Sequence, residues 1–272
     1  MTFQDIPDGL RLSGAAGWNQ RESDWRFLLE GNPGRFVVAV RDGRVIGSGG
    51  AVCYGTALAW VCMILVDPSE RGHGIGSRIV SGVLDQLSDM RSVGLDATPF
   101  GLGVYARLGF VETSRLVRLE APPTSGEEDQ SSVRPLAPGD FEAVLARDRV
   151  VFGADRGDLL RAAAARAAAF VAARDGTIVG YCFGRDGARS RQIGPVVASD
   201  MDLASSLVVT SLVSGSGPPV VVDAPADRPD WLALLREFGF EEKRPLVRMY
   251  RGGTRPADVP ERVWAICGPE FG

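Results

Sequence analysis

The feature that most constrains this chain is a glycine-rich turn between an apolar segment and an amphipathic one. The turn reads Arg71-Gly72-His73-Gly74-Ile75-Gly76 and is followed by Ser77. Before it, the continuous apolar run from Leu58 to Val66 is typical of a buried strand. After it, the spacing of apolar residues predicts a helix whose buried face carries Ile79, Val80, Val83, Leu84 and Leu87. The sequence therefore predicts a strand, a tight turn and a helix in succession.

Such a turn is suited to binding an anion. Glycines permit positive φ angles and remove side chains, so that backbone N–H groups can converge on one point. The helix start adds unpaired N–H donors and the positive end of a dipole. We interpret the turn as a pyrophosphate cradle, and a plain strand–helix connection is the alternative. A P-loop is excluded because no lysine follows Gly76. The strand candidates upstream and the Val66-Asp67-Pro68 lead-in disfavour a dinucleotide fingerprint.

Three segments together resemble the acetyl-CoA signature of the GNAT superfamily of N-acetyltransferases. They are the strand end Val66-Asp67-Pro68, the loop from Arg71 to Gly76, and the later Tyr105-Ala106-Arg107-Leu108-Gly109-Phe110. The resemblance covers roughly residues 1–120. It implies acetyl-CoA as the acyl donor. In this superfamily the pantetheine arm pairs with the end of the strand before the loop, which implies main-chain contacts from Ile64, Leu65 and Val66.

The resemblance also implies roles for individual side chains. We expect Tyr105 to be the general acid that protonates the leaving thiolate, since a phenol can deliver that proton. Many relatives hold the cofactor with an asparagine upstream of this tyrosine, and here Thr98 takes that place. His73, the only histidine, is expected to face solvent within the loop. The predicted cofactor site is completed by the strand end, loop and helix start: Ile64, Leu65, Val66, Arg71, Gly72, His73, Gly74, Ile75, Gly76 and Ser77.

The chain contains an internal repeat. Asp42–Gly47 recurs as Asp175–Gly180, shifted by 133 residues, and Gly109-Phe110 recurs as Gly239-Phe240, shifted by 130. A repeat of this length indicates two similar domains rather than a solenoid. We therefore predict an α/β (α+β mixed-sheet) fold with two tandem GNAT-like domains, each a mixed, mostly antiparallel sheet flanked by helices. The predicted boundaries are a catalytic domain at residues 1–120, a polar linker at 121–132, a second domain at 133–252 and a tail at 253–272.

The second copy has lost the predicted functional residues. The position of Arg71 maps into the segment Ser199–Ala204, which contains no Arg-Gly-x-Gly-x-Gly pattern, and Tyr105 maps to Leu235. We therefore expect one cofactor site per chain, in the first domain. The second domain is expected to be degenerate and to shape the acceptor pocket.

The acceptor site is less sharply marked than the cofactor site. The opening Trp18-Asn19-Gln20 matches tandem GNAT proteins in which this region borders the acceptor pocket, although a helix start with a buried tryptophan is an equal alternative. Asp96 ends a predicted strand near the cofactor. Residues of the second domain could line a cleft between the domains. No general base stands out. We assign substrate binding to Trp18, Asn19, Gln20, Asp96, Asp155 and Arg185.

Composition limits the classes of function. A net charge of −4 argues against general nucleic-acid binding, which requires a basic surface. No apolar stretch is long enough to span a membrane. Four cysteines without a C-x-x-C pair are expected to be reduced thiols in a cytoplasmic protein. A single histidine excludes a histidine-rich metal site, and we expect no metal.

The sequence thus predicts acetyl-CoA-dependent N-acetylation of a small-molecule amine by direct attack in a ternary complex. Two alternatives stay open. An acyl-CoA-responsive binding protein without turnover would keep the cradle and would not need Tyr105. A transferase that uses an aminoacyl-tRNA would not need an acetyl-CoA cradle, and the acidic net charge counts against it.

Overall fold

The chain folds into two structural units, and each unit contains both strands and helices. The computed structural model describes residues 1–122, 133–215, 217–252 and 257–272. Unit 1 comprises Met1–Thr113, Val247–Arg255 and Pro269–Gly272, and unit 2 comprises Ser114–Leu246 and Pro256–Gly268. Each unit is a mixed sheet flanked by helices, so the predicted fold class is confirmed.

In chain order, the helices and strands have the following bounds: α1 Ile6–Ala15, α2 Glu22–Gly31, β1 Phe36–Arg41, β2 Arg44–Tyr54, β3 Leu58–Val66, α3 Ile75–Asp85, β4 Ser92–Ala97, α4 Leu102–Arg107, β5 Val111–Ala121, β6 Val133–Pro135, α5 Phe141–Phe152, α6 Gly157–Ala164, β7 Phe170–Arg174, β8 Thr177–Asp186, β9 Arg191–Val197, α7 Met201–Val213, β10 Val220–Pro225, α8 Pro229–Glu237, β11 Glu241–Arg251 and β12 Val263–Ala265. The predicted strand Leu58–Val66 is β3, and the predicted helix after the turn is α3. Ile79, Val80 and Val83 of α3 are buried, as expected.

Five strands of each unit follow the same sheet plan, and unit 2 adds β6 at its edge. In unit 1 the strand order is β1-β2-β3-β4-β11, and only the β3–β4 pair is parallel among the described strands. In unit 2 the order is β5-β10-β9-β8-β7-β6, and the β9–β10 pair is parallel. The hairpins β1–β2 and β7–β8 both turn at an Asp-Gly pair with positive φ at both residues, 49° and 74° at Asp42-Gly43 and 50° and 73° at Asp175-Gly176. Positive φ at both positions is what a tight hairpin turn requires. The internal repeat is therefore also a structural repeat.

Each repeat gives its last strand to the sheet of the other unit. Strand β5 follows α4 in sequence but pairs antiparallel with β10 in unit 2, while β11 follows α8 and pairs antiparallel with β4 in unit 1. The chain therefore passes from unit 1 to unit 2 within β5, after Thr113, and returns to unit 1 within β11, after Leu246. The predicted boundaries were 120 and 133. Of the predicted linker 121–132, residues 123–132 lie outside the described residues, as do residues 253–256 of the predicted tail. The rest of that tail contains β12 and a segment buried in unit 1.

An arginine–aspartate pair joins each exchanged strand to its new neighbour. In unit 1, Arg248 of β11 lies opposite Asp96 of β4, with Nε–Oδ1 and Nη2–Oδ2 distances of 2.9 and 2.8 Å. In unit 2, Arg118 of β5 lies opposite Asp223 of β10, with distances of 2.8 and 2.6 Å. Both aspartate side chains are 0% exposed. Bidentate, charge-assisted bonds of this kind fix the register of the strands that carry them.

The remaining features of the fold are simple. All four cysteines are free thiols, and Cys62, Cys182 and Cys267 are buried. No helix in the described ranges has the length and apolar character needed to cross a membrane.

Candidate active site

The site begins at a bulge in β3. The pairing of β2 with β3 shifts register between Ser48 and Gly50, which leaves Met63 and Ile64 opposite the single residue Gly49. Met63 has a φ of 55° there. An extra residue of this kind bends the strand that carries it. On its other side β3 pairs with β4, and within the described residues this pairing does not extend beyond Trp60. The main chain of the predicted segment Ile64–Val66 therefore borders an opening between two parallel strands.

Glycine at position 49 makes the bulge possible. A Cβ atom there would lie 2.6 Å from Ile64 Cδ1 and 2.5 Å from Ile79 Cγ2 of α3. Both distances are shorter than real Cβ contacts, so the absence of a side chain allows Ile64 to pack onto α3. The side chain of Ile64 thus supports the helix, while its main chain faces the strand opening.

Asp67 anchors the loop that follows β3. Its Oδ1 accepts hydrogen bonds from Ser69 N and Oγ at 3.2 and 2.8 Å. Its Oδ2 accepts from Arg11 Nη1 at 2.8 Å and Arg44 Nη2 at 2.9 Å. These bonds, the one from the Ser69 hydroxyl first, lower the pKa of Asp67. The carboxylate therefore fixes the loop base, and two guanidinium groups balance its charge. The sequence reasoning used Asp67 only as part of the motif and missed this role.

The cradle lies between this anchor and α3. Gly72 and Gly74 have φ angles of 83° and 72°, and a Cβ at either position would meet no atom within 4 Å. Backbone dihedrals, rather than crowding, therefore call for glycine at both positions. Gly74 is the N-cap of α3 and provides no side-chain cap. The N–H groups of the first helical turn, from Ile75, Gly76 and Ser77, consequently have no partner within the helix. The open loop and the uncapped helix start fit a pyrophosphate group.

Two exposed side chains border the cradle. The Arg71 guanidinium lies 5.7 Å from the ring centre of Phe100, and its Nε donates to Val66 O at 3.3 Å. Phe100 is 83% exposed. His73 Nδ1 lies 3.3 Å from Glu70 O on the exposed side of the loop. The phosphate contact predicted for Arg71 stays a prediction, and its position beside the cradle is compatible with it.

Tyr105 lies on α4 against the same apolar cluster that Ile64 contacts. Its ring packs edge to face with Phe110 at 5.9 Å. The side chain is half-buried. Burial of the hydroxyl away from water raises the pKa of Tyr105 well above the usual value, with a smaller contribution from the charge of Cys62. The phenol therefore stays protonated at neutral pH, as a proton donor must. Thr98 is half-buried between β4 and α4, and its carbonyl accepts from Gly101 N at 2.9 Å.

The predicted acceptor residues of unit 1 differ in their surroundings. Trp18 is half-buried, whereas Asn19 and Gln20 are buried just before α2. Gln20 Nε2 donates to Glu270 Oε1 at 3.0 Å. Sequence reasoning missed Glu270, because it lies 250 residues away in a short segment without a periodic pattern. Unit 1 thus brings Gln20 together with a buried carboxylate.

The other three acceptor candidates have mainly structural surroundings. Asp96 makes the strand pair with Arg248, and its counterpart in unit 2, where the loop motif is missing, makes the same pair. The pair therefore gives Asp96 a role in the sheet, and its role in substrate binding stays a prediction. Asp155 is exposed and accepts from Gly157 N at 2.9 Å and Arg149 Nη2 at 2.7 Å, and these two bonds lower the pKa of Asp155. Arg185 lies on β8. The binding roles of Asp155 and Arg185, both in unit 2, stay predictions.

Comparison with known proteins identifies the family. Two family models match the chain, each described as an acetyltransferase (GNAT) domain, over residues 32–112 and 144–265. The chain belongs to the GNAT acetyltransferases. The two matches lie one after the other, so the predicted tandem arrangement is confirmed.

Relatives extend over most of this GNAT protein. It is 28% identical to the uncharacterised N-acetyltransferase YitH of Bacillus subtilis (strain 168) over 260 residues, which span 89% of this chain and 87% of the relative. It is 29% identical to the holothin acyltransferase of Pseudoalteromonas sp. (strain SANK 73390) over 256 residues, or 91% and 84% of the two chains.

Solved structures show the same fold. A proposed acetyltransferase from Pyrococcus horikoshii aligns with a TM-score of 0.84 at 23% identity and covers 100% of this chain and 94% of its own. A tandem GNAT protein from the clavulanic acid biosynthesis pathway aligns with a TM-score of 0.64 at 16% identity, over 93% and 96% of the two chains. At these identities the likeness concerns the fold alone.

Proposed function

We propose that this GNAT protein transfers an acetyl group from acetyl-CoA to the amine of a small molecule, at one site in unit 1. The observation that carries the proposal is the continuity of the bulged β3, the positive-φ glycine loop and the uncapped start of α3. Together they offer main-chain groups to an extended arm and N–H donors to a pyrophosphate. The name of the holothin acyltransferase, which covers most of this chain, supports a small-molecule acceptor.

The second unit supports a single site per chain. At the start of α7, the Asp200 side chain accepts from Leu203 N at 2.9 Å, so a carboxylate already caps the helix. Strand β12 pairs with the end of β9, with Ala265 opposite Val196, and Ile266 N donates to Asp223 O of β10 at 3.0 Å. In unit 2 the chain itself therefore occupies the opening between the two parallel strands.

The reaction needs few groups from the protein. Acetyl-CoA supplies an activated thioester. The neutral amine nitrogen bonds to the carbonyl carbon as the carbon–sulfur bond breaks, so the nitrogen releases one proton to solvent and the sulfur gains one. Tyr105 gives its phenolic proton to the sulfur and regains one from solvent. The main chain at the β3 bulge holds the acyl group in place. We place the protein in the cytoplasm, where its four free thiols would stay reduced.

Calorimetric titration with acetyl-CoA tests the proposal. We expect one site per chain, and Gly74→Glu should weaken binding by about 100-fold or more, because a carboxylate at the helix start repels phosphate and a non-glycine residue strains the loop. Gly176→Glu is the matched control, since Gly176 has a φ of 73° and open space in a turn of unit 2. Two sites per chain would show that unit 2 retains a cradle. No binding at millimolar acetyl-CoA would overturn the proposal.

A further inference from the structure

The segment Pro269–Gly272 belongs to unit 1 and fixes Glu270 inside it. On one side of Glu270, Trp60 Nε1 donates to Pro269 O at 2.9 Å. On the other side, the Tyr54 hydroxyl donates to Phe271 O at 2.7 Å. The Phe271 ring is buried and packs edge to face with another ring of unit 1. Glu270, which is only 6% exposed, is therefore fixed in place by the hydrogen bonds of the residues on either side of it.

Gln20 and Glu270 form a polar pair that is incompletely satisfied. Gln20 Nε2 donates to Glu270 Oε1, and because a carboxylate only accepts, this bond fixes the orientation of the amide. Gln20 is 9% exposed, and within the part of the chain that the structure describes its Oε1 has no hydrogen-bond partner. A buried carbonyl oxygen without a donor is destabilising, unless a ligand supplies that donor.

The pair lies near the acyl-transfer end of the candidate site. Trp60, which bonds to Pro269, is two residues before Cys62, and Cys62 directly precedes the β3 bulge at Met63. Burial first, and then the charge of Glu270, raise the pKa of the Cys62 thiol. Cys62 in turn acts on Tyr105. Glu270 and the expected proton donor therefore lie within electrostatic range of the same thiol.

We propose that Gln20 and Glu270 bind the protonated amine of the acceptor, which would make the substrate a primary alkylamine that is cationic at neutral pH. An ammonium group carries three N–H donors and a positive charge. It donates to Gln20 Oε1 and pairs with the Glu270 carboxylate in a charge-assisted contact. The bound ammonium group then releases one proton to solvent, because only the neutral amine has the lone pair that attacks the thioester. A neutral aromatic amine brings no charge to this subsite. The inference rests on the proposed function, because it names the acceptor class of the same site.

The test compares n-hexylamine, a cationic probe, with aniline, a neutral one. Rates of CoA release at saturating acetyl-CoA give KM for each amine, and calorimetry gives the Kd of hexylamine for the CoA-loaded protein. Glu270→Gln keeps the shape and the hydrogen bond to Gln20 but removes the charge. We expect the hexylamine constants to rise roughly 10- to 100-fold. The aniline constants and the Kd of acetyl-CoA should change by less than about threefold.

Two further variants keep the test sharp. Glu30→Gln removes the same charge from an exposed position on α2 and should change none of these constants. Gln20→Met removes the Oε1 acceptor at similar volume, and it replaces Glu270→Gln if circular dichroism shows that the latter does not fold. We expect it to raise the hexylamine constants about 10-fold.

The two proposals fail in different ways. If Glu270→Gln changed the KM values of hexylamine and aniline equally, or changed neither, the amine subsite would be overturned. So would the failure of hexylamine to bind the CoA-loaded wild type at about 10 mM. In these cases acetyl-CoA binding by the same protein would leave the proposed function standing. Loss of acetyl-CoA binding in the wild type would instead overturn the proposed function.

Discussion

The starts of α3 and α7 occupy equivalent places in the two units and have opposite chemistry. Helix α3 begins at Gly74, which has no capping side chain, so the N–H groups of its first turn can receive an anion. Helix α7 begins at Asp200, whose side chain accepts from Leu203 N at 2.9 Å. That bond lowers the pKa of Asp200, which keeps a negative charge where a phosphate would bind. The same helix start is thus open to an anion in one unit and closed by a carboxylate in the other.

The strand openings show the same contrast. Both units have a register shift next to the parallel pair, at Met63-Ile64 of β3 and at Gly194-Pro195 of β9. In unit 2, however, β12 pairs with β9, and a Cβ on Gly194 would lie 1.9 Å from Ile266 O. The frame of this fold therefore does not depend on the glycine loop, because unit 2 keeps the bulge, the Asp-Gly turn and the arginine–aspartate pair without that loop.

The largest effect should come from the arginine–aspartate pairs, which join equivalent strands in both units. Arg248→Met and Arg118→Met each leave a buried carboxylate without its guanidinium, and each should lower the free energy of unfolding by about 3 to 5 kcal/mol. Gln192, which donates to Asp223 Oδ2 at 3.1 Å, should reduce the loss for Arg118→Met. Urea unfolding measures both.

A double substitution sharpens this test. Asp96→Leu combined with Arg248→Leu replaces the pair by apolar groups and should recover most of the lost stability. If Arg248→Met abolished turnover without changing the free energy of unfolding, Asp96 and Arg248 would belong to the active site and not to the sheet.

The next largest effect concerns Tyr105, whose place in unit 2 is taken by the buried residue Leu235. Tyr105→Phe should lower kcat by roughly 100-fold because the proton donor is lost. The Kd of acetyl-CoA should stay unchanged. A raised pKa extends the protonated, active phenol to higher pH, so in the wild type Tyr105 should cause no loss of kcat up to about pH 10. Unchanged kcat in the variant across this pH range would remove Tyr105 from the mechanism.

The smallest effect is expected at the cap of α7. Asp200→Ala removes the bond to Leu203 N and should lower the free energy of unfolding by about 1 kcal/mol. The acetyl-CoA stoichiometry should remain one per chain, because β12 still occupies the strand opening. If calorimetry showed a second acetyl-CoA site in the variant, the Asp200 cap alone would account for the difference in binding between the two units.

Local patterns in the sequence were sufficient for local structure. The apolar run Leu58–Val66 predicted β3 to the residue, and the glycine spacing predicted the strand–turn–helix that follows, because both depend on neighbours in sequence. The repeat of Asp42–Gly47 at Asp175–Gly180 predicted two similar folds, and the family comparison confirms them.

Contacts over long sequence distances were not predictable in this way. Arg248 and Asp96 are 152 residues apart, and Gln20 and Glu270 are 250 apart. Neither pair has a periodic signal. For the same reason the sequence alone favours a binding role for Asp96, since a single carboxylate at a strand end looks the same whether its partner is a ligand or an arginine on a distant strand.

The strand exchange also affects whether one copy of a tandem repeat can be lost during evolution. After duplication, one copy is usually free to be deleted once it loses its chemistry. Here that route is closed, because β11 of the second copy completes the sheet of the first, and β5 of the first completes the sheet of the second. Mutations can change the loops of either copy, but a deletion of either half would remove a strand from the half that remains. The second copy therefore persists as an inseparable part of the first.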